Sequence, residues 1–242
     1  MSRHVYLRIL GYVATITLHV GNLYVMGQPK PKHIMADPYI RGYMEMRTRY
    51  FTRWTFFLQI FYAVCGLTCD VMVLKNSKRN YELPKYLKGF RDTLFAAIVW
   101  PSTLLVFTFF WTLYVIDRNL IFPPFLDQIV TPTSNHIMHT AIIPIALWEV
   151  LFQPRSVPKS HVKNVLHLVL YLGLYLSVLI YTYMDSRRWV YPIFQKIYGT
   201  VYFYIVMGFI VILCLGFYYL QWSITRKIWG PLEKEKVKRK TR

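Results

Sequence analysis

Apolar residues in this chain fall into long unbroken runs, and the polar residues collect between them. Six windows stand out: 5–26, 54–74, 93–116, 135–151, 165–184 and 201–223. A helix needs roughly 20 apolar residues to cross about 30 Å of hydrocarbon, and most of these windows reach that length. Windows 93–116 and 201–223 contain no charged residue at all. Window 135–151 is shorter and carries His136, His139, Pro144 and Glu149, so its ends are the least sharply marked. The pattern predicts an all-α polytopic membrane protein, a bundle of about six transmembrane helices. Residues 1–226 read as one six-span unit, with no internal repeat, and residues 227–242 as a basic, unstructured cytosolic tail. The first window is too long for a cleavable signal peptide and lacks a small-residue cleavage site, so it reads as a span.

Composition agrees with a lipid solvent. Of the 242 residues, 55% are apolar and only 17% charged, against roughly 45–50% and about 25% in soluble domains. The net charge of +18 would suit a nucleic-acid ligand if it were gathered on one folded face. It is instead spread through the segments between spans, which excludes nucleic acid as a partner and makes the charge a topology signal. Two Lys or Arg lie on the N-terminal side, six in 75–92, three in 152–164 and eight in the tail, 19 together. Six lie in 27–53, one in 117–134 and three in 185–200, ten together. The asymmetry puts both termini in the cytosol. The tail reads first as a topology determinant near anionic headgroups; Lys238 and Lys240, fifth and third from the end, also resemble an endoplasmic-reticulum retrieval signal. An endomembrane or the plasma membrane is the expected location.

Cys65, Cys69 and Cys214 all lie inside apolar runs and form no disulfide framework. Cys65 and Cys69 have helical spacing but no second pair, so they read as small buried residues rather than metal ligands. Neither metal nor cofactor is expected.

Ionisable groups at membrane depth are costly and are therefore functional candidates. They are Arg8, His19, Asp70, His136, His139, Glu149 and His167. Arg8, Asp70 and Glu149 lie near cytosolic ends, where snorkelling or helix-end solvation accounts for them. His19 and His167 are single histidines on apolar helices and read as interhelical hydrogen-bonding groups. The run Asn135-His136-Ile137-Met138-His139-Thr140 is different. Its spacing puts two imidazoles on one face, one turn apart, with Asn135 a turn before His139. Such a face suits a metal, a haem or a general base; equally, it is a helix start capped by Asn135 with interfacial histidines. Thr52, in Tyr50-Phe51-Thr52-Arg53-Trp54, opens the second span on the same side of the membrane. Nucleophile and base must share a depth, and these two do. By itself, a threonine at a helix start is an N-cap.

At these residues the chain resembles the androgen-induced gene family. The resemblance runs over most of residues 48–200 through Phe51-Thr52, Gln59, Asp70, Arg91-Asp92, Pro101, Phe110-Trp111, Tyr114, Asp117-Arg118, Pro123 and Leu126-Asp127. It continues through Asn135-His136, Met138-His139-Thr140, Pro144, Glu149 and Trp189-Val190-Tyr191-Pro192. The resemblance implies a multi-span hydrolase of fatty acid esters of hydroxy fatty acids. Its threonine nucleophile would be Thr52 and its histidine base His139. The sequence departs from the family's pattern at Met46-Arg47, Thr55 and Ile137, which bears on the substrate more than on the chemistry.

The implied reaction is acyl transfer through an acyl-threonine, with a lipid ester and the surrounding membrane lipids as partners. Arg53 or Arg49 would bind a substrate carboxylate or else snorkel to headgroups. Asn135 and His136 would support the reacting groups. Asp117 or Asp127 is the guess for an acidic third member, and Phe51, Trp111 and Tyr114 for the lining of an apolar pocket. Two other classes remain open: a haem- or metal-binding membrane oxidoreductase using His19, His136, His139 and His167, and a non-enzymatic transporter or regulatory membrane protein.

Overall fold

A computed structural model describes the backbone of residues 2–76 and 82–240, and side chains over 4–76 and 82–230. Lys78 and Arg79 lie outside the described residues, as do the side chains of Arg3 and of the tail lysines from Lys234 onward. Among the described residues the structure is helical, without strands, as lipid requires when every backbone polar group must find an internal partner.

Five of the six apolar windows are single helices long and apolar enough to cross a membrane: His4–Gly27, Phe51–Lys75, Lys85–Leu120, Val162–Ser186 and Val201–Gly230. The remaining window, 135–151, is instead two short helices in sequence. In chain order the elements are α1 (Ser2–Gly27), α2 (Lys32–Met35), α3 (Pro38–Met46), α4 (Phe51–Lys75), α5 (Lys85–Thr93) and α6 (Trp100–Asp117). They continue with α7 (Pro132–His139), α8 (Ile142–Phe152), α9 (Val162–Ser186), α10 (Pro192–Ile197) and α11 (Val201–Lys240).

Proline explains both departures from regular helix. Pro144 has no N–H to offer the Thr140 carbonyl, and its ring crowds that carbonyl, so the helix breaks at 140–141 and resumes as α8. Pro101 acts similarly after α5: Leu94–Val99 widens into a π-helix that joins α5 to α6 without a turn. The Ala96 carbonyl in that stretch accepts from Gln221 Nε2 of α11 at 2.7 Å, so the wider turn is tied to the last helix.

α1 packs on α4 and α8, and α6 on α11. The outer faces are apolar, with Leu166, Leu170 and Leu174 of α9 and Ile205, Phe209 and Ile212 of α11 all exposed. A water-soluble protein does not present such a surface; this is a multi-pass membrane protein. The last helix does not stop at 226. Trp229 is buried and donates to the Val150 carbonyl of α8 at 3.0 Å, and the helix continues to Lys240.

Candidate active site

Thr52 sits in the first turn of α4. The residue before the helix, Tyr50, makes no side-chain cap, and Thr52 makes none either. The N-cap reading of Thr52 is therefore incorrect: the Phe51 N–H is taken up by the Tyr191 hydroxyl at 2.9 Å, and the Thr52 side chain is left for other use.

His139 ends α7. That helix starts at Thr131, whose hydroxyl accepts from Ser134 N–H at 3.1 Å, and Pro132 occupies the first turn. The cap is thus Thr131 and not Asn135. Asn135, four residues before His139, lies on the same inward face. The His139 Nδ1 is 2.8 Å from Asn135 Oδ1 and 3.1 Å from the Asn135 carbonyl. Both are acceptors, so the Nδ1 hydrogen is held there and Nε2 carries the lone pair. His139 Nε2 lies 3.4 Å from Thr52 Oγ1. The imidazole is buried and stacks on Phe110 at 3.5 Å with the planes 8° apart, while Trp111 Nε1 donates to the His139 carbonyl at 3.3 Å. Phe110 covers one face of the ring, and the two Nδ1 contacts fix its rotation.

A cavity of about 270 Å³ opens beside Thr52, between α4, α6, α9 and α11. Its wall includes Phe51, Phe109, Phe110, Leu172, Tyr175 and Tyr191. Phe51 lines it as expected, but Trp111 and Tyr114 do not. Phe109 and Phe110 turn into the cavity, whereas Trp111 faces His136 at 5.3 Å.

Comparison with known proteins places the chain in a family. The family model described as FAR-17a/AIG1-like protein matches residues 13–222. The chain belongs to that family. It is 35% identical over 197 residues to the androgen-dependent TFPI-regulating protein of Homo sapiens, covering 80% of this chain and 82% of the relative. The mouse protein of that name is 31% identical over 195 residues, again 80% and 82%. The human androgen-induced gene 1 protein is 28% identical over 187 residues, 75% and 78%. No solved structure matches the chain.

Other side chains singled out in the sequence of this FAR-17a/AIG1-like chain have partners of their own. Asp117 caps the turn at Asn119, 3.0 Å from its N–H, and Asp127 pairs with Arg118 at 2.8 Å. Neither is bonded to His139, whose Nδ1 meets the side chain of Asn135 instead. Arg49 pairs with Asp185 at 3.1 Å on the exposed surface, and Arg53 lies half-buried beside Tyr43 and Arg47, outside the cavity wall. His136 is exposed, its Nδ1 3.0 Å from Thr140 Oγ1.

The four histidines an oxidoreductase would need are committed separately. His19 bonds Gln59 at 2.8 Å and stacks on Phe56, while His167 turns back to the Lys163 carbonyl of its own helix at 2.6 Å. The interhelical reading thus describes His19 and not His167. Among the described residues, no three His, Cys, Asp or Glu side chains gather as donors for a metal.

The opposite end of the bundle holds the largest correction. Arg8, Asp70 and Glu149 neither snorkel nor meet water; they are buried in one ionic network. Arg8 bonds both Asp70 oxygens, at 2.7 and 2.9 Å, and Arg91 reaches the same carboxylate at 3.2 Å. Glu149 accepts from Tyr12 at 2.6 Å, from Arg155 at 2.7 Å and from the Tyr62 hydroxyl. Asp92 lies 3.4 Å from Arg155 and brings the cluster to charge balance. Its Tyr12, Tyr62 and Arg155 escaped sequence reading because nothing local marks them. Tyr191 was visible only as part of the matched Trp189-Val190-Tyr191-Pro192 run, and Tyr175 not at all.

Proposed function

We propose that this protein is a membrane-embedded lipid ester hydrolase in which Thr52 is the nucleophile, His139 the general base and Asn135 the residue that orients the base. One observation carries the reading: the Thr52 hydroxyl faces the lone-pair nitrogen of a buried imidazole whose other nitrogen is fixed by Asn135. A threonine hydroxyl is a weak nucleophile until a base within hydrogen-bond reach takes its proton. The 3.4 Å separation is longer than the roughly 2.6–3.2 Å of a productive bond, and such contacts commonly tighten when substrate arrives.

In the first half-reaction the Thr52 proton passes to His139 Nε2 while Oγ1 attacks the ester carbonyl. The imidazolium then returns that proton to the departing alkoxide, leaving an acyl-threonine. In the second half, Nε2 takes a proton from water, the hydroxide attacks the acyl carbon, and Thr52 leaves with the proton as the free acid departs. Asn135 never changes protonation; it keeps the ring in one tautomer, the part an asparagine plays in papain-like proteases. The apolar cavity next to Thr52 suits a fatty acyl chain, which offers no polar group to read.

The charge asymmetry along the chain supports cytosolic termini and a reaction at the opposite face, in an endomembrane or the plasma membrane. A glycosylation site engineered after residue 242 should stay unmodified in cells; its modification would reverse the orientation.

The central test is labelling of detergent-solubilised protein with a fluorophosphonate probe, alongside hydrolysis of a fatty ester. Thr52→Ala should abolish both, and Thr52→Ser should keep part of the turnover. Unchanged hydrolysis by Thr52→Ala would overturn the reading.

A further inference from the structure

The turn that carries Thr52 is held from outside its own helix. Phe51 N–H is one of the first-turn amides that have no acceptor within a helix, and it donates to the Tyr191 hydroxyl at 2.9 Å. The Tyr175 hydroxyl donates its one hydrogen to the Arg49 carbonyl at 3.1 Å, which leaves its oxygen to accept from the Tyr191 hydroxyl 3.2 Å away. Two phenols, one from α9 and one from the segment before α10, thereby close a ring of hydrogen bonds around backbone positions 49–51. Thr52 is the next residue.

Both tyrosines are buried and both line the cavity that Thr52 faces. Their rings are already anchored by packing: Tyr191 meets Tyr50 edge-on at 5.3 Å, and Tyr175 lies 4.6 Å from Phe51. Phenylalanine would fill the same space at either position. What only the hydroxyls supply is an acceptor for Phe51 N–H and a donor for Arg49 C=O, within an apolar wall. A buried amide without an acceptor costs about 1–3 kcal/mol, so the turn would shift to find one.

Resting on the hydrolase reading above, we infer that Tyr191 is a positioning residue for Thr52. Acting through the Phe51 amide, it sets the rotation of the first turn of α4 so that Oγ1 stays on the His139 lone pair, and Tyr175 secures it. The reaction is sensitive to that rotation. Helix ends fray, α4 has no side-chain cap of its own, and a misplacement of about 1 Å can cost on the order of 100-fold in rate. Burial pushes the Tyr191 phenol up to about 12, so it stays neutral through any ordinary assay range and adds no titration to the pH–rate profile.

The test uses the purified full-length protein. The rate of fluorophosphonate labelling is measured together with kcat and KM for a medium-chain p-nitrophenyl ester, in wild type, Tyr191→Phe and Tyr175→Phe. Tyr191→Phe should lower kcat and the labelling rate in parallel, by roughly 10- to 100-fold, with KM and the pH profile unmoved. Tyr175→Phe should show the same signature at smaller size. An unchanged kcat in Tyr191→Phe, or a loss confined to KM, overturns the inference. If Tyr191→Phe does not fold, Tyr175→Phe decides: it removes the hydroxyl that secures Tyr191 and the Arg49 carbonyl while keeping both rings packed, so an unchanged kcat there overturns the inference. Failure of wild-type protein to label or turn over would bring down the hydrolase reading itself, and this inference with it. Normal wild-type turnover with an unaffected Tyr191→Phe brings down the inference alone.

Discussion

The two ends of this bundle treat buried polar groups in opposite ways. At the end where α1 begins, Arg8, Arg91 and Arg155 meet Asp70, Asp92 and Glu149, and the Tyr12 and Tyr62 hydroxyls donate to Glu149. The carboxylates of Asp70 and Glu149 each accept from several donors, and the charges balance. Such a cluster holds α1, α4, α8 and the α5–α6 segment in register by ion pairing, although Arg91 Nε, Arg155 Nε and Nη1 and Asp92 Oδ1 are left without a hydrogen bond. At the other end the buried polar side chains Ser134, Asn135 and His139 belong to no ion pair, and the charged pairs Arg49–Asp185 and Arg118–Asp127 lie on the surface. One hydroxyl and one imidazole nitrogen face each other across 3.4 Å beside a cavity, and the other ring nitrogen is fully engaged. On the hydrolase reading, an unengaged nitrogen beside a cavity serves chemistry at one end, while paired charges tie helices together at the other.

That contrast is open to direct attack. The largest expected effect is on activity at the Thr52 end: Thr52→Ala should erase hydrolysis while removing a single long hydrogen bond worth about 1 kcal/mol of stability. Retained thermal stability in detergent, read by tryptophan fluorescence, is therefore part of the expected outcome. The converse holds at the charged end. Glu149→Ala leaves Arg155 and Arg91 buried with an incomplete set of partners, and breaking such a pair costs about 3–5 kcal/mol. Loss of the folded monodisperse species on size exclusion should follow. A Glu149→Ala protein that folds normally yet fails to hydrolyse would break the comparison, since it would give the network a chemical role.

The smallest effect sharpens the comparison within the reactive end. Asn135→Ala removes one bond to His139 Nδ1 but leaves the residue 135 carbonyl, 3.1 Å away, to hold the same tautomer. A net bond of about 1 kcal/mol corresponds to roughly 5-fold in rate, so kcat should fall by about 5- to 10-fold rather than vanish. A drop comparable to that of Thr52→Ala would mean that the side-chain amide does more than orient the ring.

Sequence alone determined a good deal. The apolar runs are long because lipid rewards length, so the spans were written locally; the break ahead of Pro144 and the π-helical stretch before Pro101 follow from a missing N–H, but hydropathy runs through both prolines unmarked. The lysine and arginine distribution set an expected orientation. Thr52 and His139 could be drawn together by depth and by resemblance, although nothing in the residues themselves specified that their side chains meet. The rest depended on tertiary structure. Thr52 and His139 are 87 positions apart, Arg8 and Asp70 are 62, and Phe51 and Tyr191 are 140. Whether such residues touch depends on how each helix is rotated about its axis. In a soluble protein an apolar stripe reveals that rotation. These helices are apolar on every side, facing lipid and neighbour alike, so only the packing of one helix against the next decides which polar groups turn inward and which partners they find.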